Sequence, residues 1–347
     1  MRHALYVLVV SLVFLTCNKG VEPPLPERTP RDWTWTRDTL GDGTYQILPR
    51  SIWGSSPEDV YIAGHASTWL VGKIWHFDGT SWEDITSVYE EAFPGQTIYP
   101  FSVYDVFGSA SDNLWIVGAR DTSYTPQVVK EGFVMHYNGS TWTGMTITGA
   151  PGLLCVFTRN PNDVWVGGFS GRLHHFDGVS WSGYVLSDTT IGVQFFAGEI
   201  GTKLYAQGFA IKNAYEEYSL LEWDGTSWTI VENAIGIEKH FTTLTIIEGE
   251  FYTVTESSVS RRLGRNSWQE IFSDPSARFS RVVGVSKTNI LAIGSAEVVE
   301  HFNGKDWHRF SQFHSDEISY YSGWMATSGA FMLGDNGGTH CFVLQGK

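Results

Sequence analysis

One phrase returns six times along this chain: an aromatic residue, a turn dipeptide, two further residues and a tryptophan. It reads Phe77-Asp78-Gly79-Thr80-Ser81-Trp82, then Tyr137-Asn138-Gly139 to Trp142, and Phe176-Asp177-Gly178 to Trp181. It returns as Trp223-Asp224-Gly225 to Trp228 and Phe302-Asn303-Gly304 to Trp307, with a degenerate copy, Leu263-Gly264-Arg265-Asn266-Ser267-Trp268, between these two. Successive tryptophans are 60, 39, 47, 40 and 39 residues apart. A period of this size restricts the chain to stacked copies of one small unit, because a single copy cannot bury its own apolar face.

A second phrase precedes the first in each unit. Its copies are Asp59-Val60-Tyr61 to Gly64, Asn113-Leu114-Trp115 to Gly118, Asp163-Val164-Trp165 to Gly168, Lys203-Leu204-Tyr205 to Gly208 and Asn289-Ile290-Leu291 to Gly294. Alternating apolar residues closed by Gly read as a short strand running into a turn. An apolar run such as Ser51-Ile52-Trp53-Gly54 comes before it. Each unit thus offers an inner strand, the Asp-Val-Tyr strand, a strand ending in the aromatic, and the Trp strand. The Asp-Gly or Asn-Gly pair joins the last two, because both residues tolerate the positive φ of a tight hairpin. Four strands per unit and about 45 residues per unit make a blade of a β-propeller.

Units begin near Ser51, Ser102, Leu153, Gly192, Phe241, Ser280 and Ile318. The seventh ends at Lys347 without a tryptophan strand, and the segment Asp32-Trp33-Thr34-Trp35-Thr36-Arg37 supplies one at the other terminus. The expectation is an all-β, seven-bladed propeller of four antiparallel strands per blade, over residues 32–347. The N-terminal strand completes the last blade, since an open ring would leave unpaired edges.

The segment before residue 32 reads as an export signal. Arg2-His3 is followed by an apolar run, Ala4 to Thr16, too short for a bilayer span of about 20 residues. Cys17 closes the run, as in a bacterial lipobox, although Phe14-Leu15-Thr16 departs from the usual residues before such a cysteine. Residues 1–17 are therefore expected to be a signal peptide with Cys17 the acylated residue, and the Pro-rich residues 18–31 a tether. The expected location is exported, at the cell envelope, outer membrane or cell surface, with secretion or the periplasm as the alternative. Cys155 and Cys341 fall on different blades and are expected to pack as small apolar fillers. The net charge of −14 argues against nucleic acid and anionic lipid, leaving the lipid anchor as the expected membrane contact.

Several residues invite a chemical reading. His76, His136, His175 and His301 share one repeat position, replaced by Glu222, Arg262 and Cys341 in the other units. Equivalent positions diverge around a ring, so these histidines read as repeated structural hydrogen bonds rather than metal ligands. His174 and His175 are adjacent on a strand and point to opposite faces. Asp78, Asn138, Asp177, Asp224 and Asn303 read as turn residues, the tryptophans as core between blades, and Glu90-Glu91 and Glu216-Glu217 as solvated carboxylates. No nucleophile elbow, phosphate loop or metal-ligand spacing occurs. No catalytic residue, cofactor or metal is expected.

The whole of residues 32–347 resembles bacterial exported propellers built on a repeat of the form Asp-Val-Trp-x-x-Gly followed by His-Tyr-Asp-Gly-x-x-Trp. The resemblance implies the propeller fold and carries over no catalytic residue. The chain departs from the sialidase Asp-box, in which one residue separates Asp from Gly, because Asp78 and Gly79 are adjacent. It departs from kelch units in lacking a regular Gly-Gly doublet, and from WD40 units because Trp82-Glu83 and Trp142-Thr143 replace Trp-Asp.

Length variation falls on one face. From the strand-ending Gly to the next aromatic takes 8 residues in blades three, six and seven (Gly168 to Phe176, Gly294 to Phe302, Gly334 to Phe342), but 13, 19 and 15 in blades one, two and four. The stretch from Trp82 to Trp115 is also long. These insertions lie between second and third strands or between blades, and both connections open on the same face. A rigid scaffold with variable loops binds through the loops. The expected ligand-contacting residues are Trp69, Tyr89, Glu90, Tyr99, Phe101, Arg120, Asp121, Tyr124 and Tyr215. The function expected is a monomeric, envelope-anchored module binding a protein or carbohydrate. The alternative is an exported enzyme such as a glycan hydrolase or lyase.

Overall fold

Seven antiparallel sheets of four strands follow one another along the described residues of the computed structural model. These residues are 29–41, 43, 45–66, 71–96, 100–121, 130–235, 243–313 and 315–347. Labelling strands a to d from the inside outward, blade one is Ile47–Ser56, Asp59–Ala66, Gly72–Phe77 and Trp82–Asp84. Blade two is Phe101–Ala110, Asn113–Asp121, Lys130–Tyr137 and Trp142–Thr146. Blade three is Leu153–Asn160, Asp163–Gly168, Arg172–Phe176 and Trp181–Val185. Blade four is Gly192–Ile200, Lys203–Lys212, Tyr215–Trp223 and Trp228–Ile235. Blade five is Thr243–Ile247, Glu250–Val254, Ser258–Gly264 and Ser267–Ser273. Blade six is Phe279–Ser286, Asn289–Gly294, Val299–Phe302 and Trp307–Arg309. Blade seven is Ser319–Ala326, Gly329–Asp335 and Cys341–Gly346, completed by Trp35–Leu40 as its strand d. Each strand a packs on that of the next blade, and that of blade seven on that of blade one. The ring is closed, as the missing tryptophan strand implies.

The strand-d tryptophans bond neighbouring blades. Trp82 meets Phe331 of blade seven at 6.3 Å, Trp181 meets Trp115 of blade two at 6.3 Å, and Trp228 meets Trp165 of blade three at 5.5 Å. Trp307 stacks on Phe272 of blade five at 4.6 Å, and Trp35 meets Phe310, beside strand d of blade six, at 5.4 Å. Burying each large ring stabilises the ring of blades by about 3 kcal/mol. Trp35 pairs with Gly346, as Trp181 pairs with Phe176, so it occupies the repeat phase. Contacts of this strand begin before residue 32: Arg31 donates to Asp306 Oδ1 at 2.6 Å and to His301 Nδ1 at 3.1 Å.

Register revises two parts of the sequence alignment. The position of His76 is set by its pairing with Tyr61. By the same rule Arg261 opposes Tyr252 and Gln345 opposes Phe331. The replacements are therefore Glu222, Arg261 and Gln345, rather than Arg262 and Cys341. Likewise Phe342 pairs directly with Gly334, so blade seven has Gly346 at the aromatic position and a longer second loop than the sequence spacing suggested. The histidines do form structural bonds: His76 meets Asp59 at 2.8 Å, His136 meets Asn113 at 2.9 Å, His175 meets Asp163 at 2.8 Å and His301 meets Asn289 at 3.1 Å. The first three also stack on Tyr61, Trp115 and Trp165 at 4.1–4.2 Å.

The two residues of the turn dipeptides divide the work. Only their glycines take positive φ, from 86° at Gly304 to 102° at Gly225. Asp78 instead contributes its carboxylate, which accepts from the Thr80 and Ser81 amides at 2.8 and 2.9 Å. Asn138, Asp177, Asp224 and Asn303 repeat that arrangement. The Thr80 hydroxyl, which donates to the same Asp78 oxygen at 2.6 Å, and then the amide bonds hold the Asp78 carboxyl down at about 2. Cys155 and Cys341 are fully buried, and burial pushes both thiols up.

Candidate functional site

Strand a of six blades carries a β-bulge at one and the same register. In blade two, Val103 faces Gly118 and Asp105 faces Val117, so Tyr104 is the extra residue. The extra residues elsewhere are Arg50, Leu154, Gln194, Ser280 and Tyr321. Blade five is regular and has Thr243 at this level. A bulge re-aims the side chain it inserts. All seven residues line one cavity of about 320 Å³ where the strands a begin, together with Phe195 and Arg281.

The glycine that closes each second phrase belongs to the same device. It is not a turn residue but lies across from the bulge. A Cβ on Gly118 would come 2.0 Å from the Ser102 carbonyl oxygen, on Gly168 2.1 Å from that of Gly152, and on Gly294 1.9 Å from that of Arg278. In these blades the bulge brings the two backbones too close for any side chain between them, whereas a Cβ on Gly208 would meet the Ile191 side chain at 2.4 Å. The repeat thus fixes the bulge and its glycine, while the residue on the bulge is free to differ from blade to blade.

Below the mouth the axial channel narrows to a space of about 150 Å³. Its wall includes Trp53, Phe107 and Phe196, and Phe157 joins the last two in a belt with neighbouring centroids 6.3, 5.2 and 6.0 Å apart. Asp105 also lines it. Its carboxylate accepts from the Val106 amide and from the Val156 amide of the next blade, each at 2.9 Å. Burial nevertheless outweighs these bonds and pushes its carboxyl up to about 6. Asp105 is a strand-bridging group, and its charge faces Arg281, whose guanidinium lies 5.2 Å from the Phe195 ring centroid. At the mouth His65 is buried against Tyr104, ring centroids 5.8 Å apart. Burial and then the Arg50 charge lower it to about 4, so it is neutral at pH 7.

The residues expected from the loops are dispersed. Trp69, Tyr99 and Tyr124, with Cys17, lie outside the described residues. Tyr89 and Phe101 were expected to be exposed contact surface. Both are buried, and they stack on each other at 3.8 Å within the blade-two core. They pin the inserted segment, whose short helix Val88–Ala92 lies over blade two, to the propeller. Asp121 is also buried, at the end of strand b beside Lys130. Arg120 and Glu90 remain accessible and share a second hollow with Phe93 and Gln96; Arg120 donates to Gln96 there and lies over the Phe93 ring at 5.2 Å. Tyr215 is exposed at the tip of the long b–c hairpin of blade four. The strand ends that carry the insertions and the strand-a origins share one face.

The bulge ring itself escaped the sequence reading, along with Arg281 and Asp105. A signal was present: an inner-strand position where Arg50, Tyr104, Leu154, Gln194, Ser280 and Tyr321 vary while Trp53, Phe107 and Phe157, three residues on, stay aromatic.

Structural comparison returns propellers. The chain superposes on YCF48 bound to a D1 peptide with a TM-score of 0.63 and 14% identity, over 90% of this chain and 96% of that one. YCF48 from Cyanidioschyzon merolae gives 0.60 and 15% identity, over 90% and 98%. A catalytically inactive virginiamycin B lyase from Staphylococcus aureus, with quinupristin, gives 0.56 and 11%, over 90% and 99%. Identities at this level establish the shared fold. No family model and no characterised protein matches the chain in sequence.

Proposed function

We propose that this protein is a binding module that seats a segment of another protein on its insertion-bearing face, centred on the channel mouth. The observation that supports the reading is the ring of seven side chains of six types, one per blade, six of them presented at a single level by a repeated backbone bulge. Packing alone would favour like residues at equivalent positions, as it does for the strand-d tryptophans. The mixture of Leu154, Phe195, Tyr104 and guanidinium groups suits a peptide better than a sugar. It offers apolar surface and charge together in an opening that admits a loop or chain end. YCF48 with its D1 peptide is a propeller of similar shape holding a peptide.

Panning random dodecapeptides on the protein tests this. The reading expects enriched sequences whose binding disappears when the mouth is filled by Ser280→Trp. An absence of enrichment contradicts it, and enriched peptides indifferent to Ser280→Trp place binding elsewhere.

We also propose that the module is monomeric and held at the cell envelope through an acyl group on Cys17, supported by the apolar run that ends there. Fractionation of cells expressing the wild type and Cys17→Ser checks this: the wild type is expected with membranes and the variant free of them.

A further inference from the structure

We propose that the channel mouth takes a carboxylate group of the bound segment, with Arg50 and Arg281 as its partners. This rests on the peptide-binding reading and names the chemistry the ligand must carry.

The charge distribution carries the inference. The chain is acidic, at −14, yet the bulge level of its axis presents two guanidinium groups lining one cavity. Most described arginines are committed to carboxylates of the fold: Arg31 to Asp306, Arg120 to Glu131, Arg262 to Glu232 and Arg309 to Asp274. Arg50 is exposed at the mouth, and among the described residues it forms no ion pair. Arg281 sits deeper, against the Phe195 face, with Asp105 as the charge beneath it. Asp105 does not use up the cationic character of the site, because its oxygens are already engaged by the Val106 and Val156 amides. Lys130 adds positive potential near His65, which is itself neutral. The Asp335 carboxylate is held by Tyr321 at 2.6 Å.

An anion entering the mouth therefore meets the exposed Arg50 guanidinium and then, deeper and more shielded from water, that of Arg281. There a charge-assisted bond is stronger than at an open surface. The group an unmodified protein segment can offer is a carboxylate, from Asp, Glu or a chain terminus. Around it, Leu154 and Phe195 cover the aliphatic part of such a residue.

The test uses peptides recovered by panning on the protein. Each is synthesised with a free C-terminus, with an amidated C-terminus, and with its Asp and Glu replaced by Asn and Gln. Dissociation constants are measured by fluorescence anisotropy for the wild type, Arg50→Gln, Arg281→Gln and Arg50→Lys, with melting curves as the control for folding. Losing the recognised carboxylate is expected to weaken binding about tenfold or more. Arg50→Gln is expected to do the same, Arg50→Lys to retain part of the affinity, and the two losses not to add, because they remove one contact. Loss on amidation identifies a chain end, and loss on Asp or Glu replacement identifies a side chain. Because Arg50 is exposed, its variants keep the test open if Arg281→Gln fails to fold. Neutral peptides that bind the mouth with undiminished affinity overturn the carboxylate and leave the module reading standing. Failure to enrich any peptide removes both.

Discussion

Lys203 donates to Glu222 at 2.6 Å across strands b and c of blade four, where blade three sets Asp163 against His175 at 2.8 Å. Blade five answers with Glu250 and Arg261 at 3.2 Å. The residue types change between blades while the complementarity is kept, so this position is a structural clamp. The pair is partly exposed, so Lys203→Glu should lower stability by about 1 kcal/mol. The reversal Lys203→Glu with Glu222→Lys should recover most of it in urea melts.

The close approach of strands at the bulges makes a sharper prediction. Gly294 has the Arg278 carbonyl oxygen 1.9 Å from where its Cβ would sit, whereas Gly225 has φ +102° and open space around it. Gly294→Ala should cost about 3 kcal/mol, because backbone must move. Gly225→Ala should cost about 1 kcal/mol, from φ alone. Equal losses in denaturant midpoints would remove the proposed reason for the repeated glycine.

The sequence carried the blade count and ring closure because both follow from periodicity, which a repeat states many times over. It misread register in blade seven, where Gly346 replaces the aromatic and Phe342, four residues earlier, imitates it. Two of the loop aromatics were misjudged for a different reason. Tyr89 and Phe101 lie 12 positions apart in an inserted segment with no repeat to compare against, and only the fold shows them stacked. The bulge ring was harder still, since a bulge adds one residue to a strand without altering the motifs on either side.

Asp105 supplies a pH dependence. Its carboxyl is raised in the folded protein to about 6 from the usual 3.8, so the folded state holds the proton more tightly. Its contribution is fully present below the unfolded value and is lost as pH rises through the folded one. His65 and His301, both lowered, act in the opposite sense over part of this range, so a difference measurement is needed. The stability of the wild type relative to Asp105→Asn should fall between about pH 4 and pH 6. Because the group is partly exposed in the channel, the fall should be about 1–2 kcal/mol. A flat difference in melting temperature would show that Asp105 titrates normally.

Closure depends on the N-terminal strand. Trp35 packs on Phe310 and Phe313 at 5.4 and 5.5 Å, and Arg37 pairs with the buried Glu297, which also accepts from Tyr320 at 2.9 Å. Trp35→Ala should cost about 3–4 kcal/mol. Arg37→Met should cost about 2–3 kcal/mol, by leaving a buried carboxylate short of its cation. Both losses should appear in thermal melts as destabilisation of the whole ring rather than as local fraying.

The central claim is that partners sit on the mouth, and site-specific photocrosslinking tests it most directly. A benzophenone side chain replaces Leu154, on the bulge ring of blade three. A second replaces Val179, which is 90% exposed in the Asp-Gly turn of the same blade on the opposite face. Irradiation with a selected peptide should give an adduct at position 154 and none at position 179. An adduct at 179 with none at 154 would contradict the account and move the binding surface to the other side of the propeller.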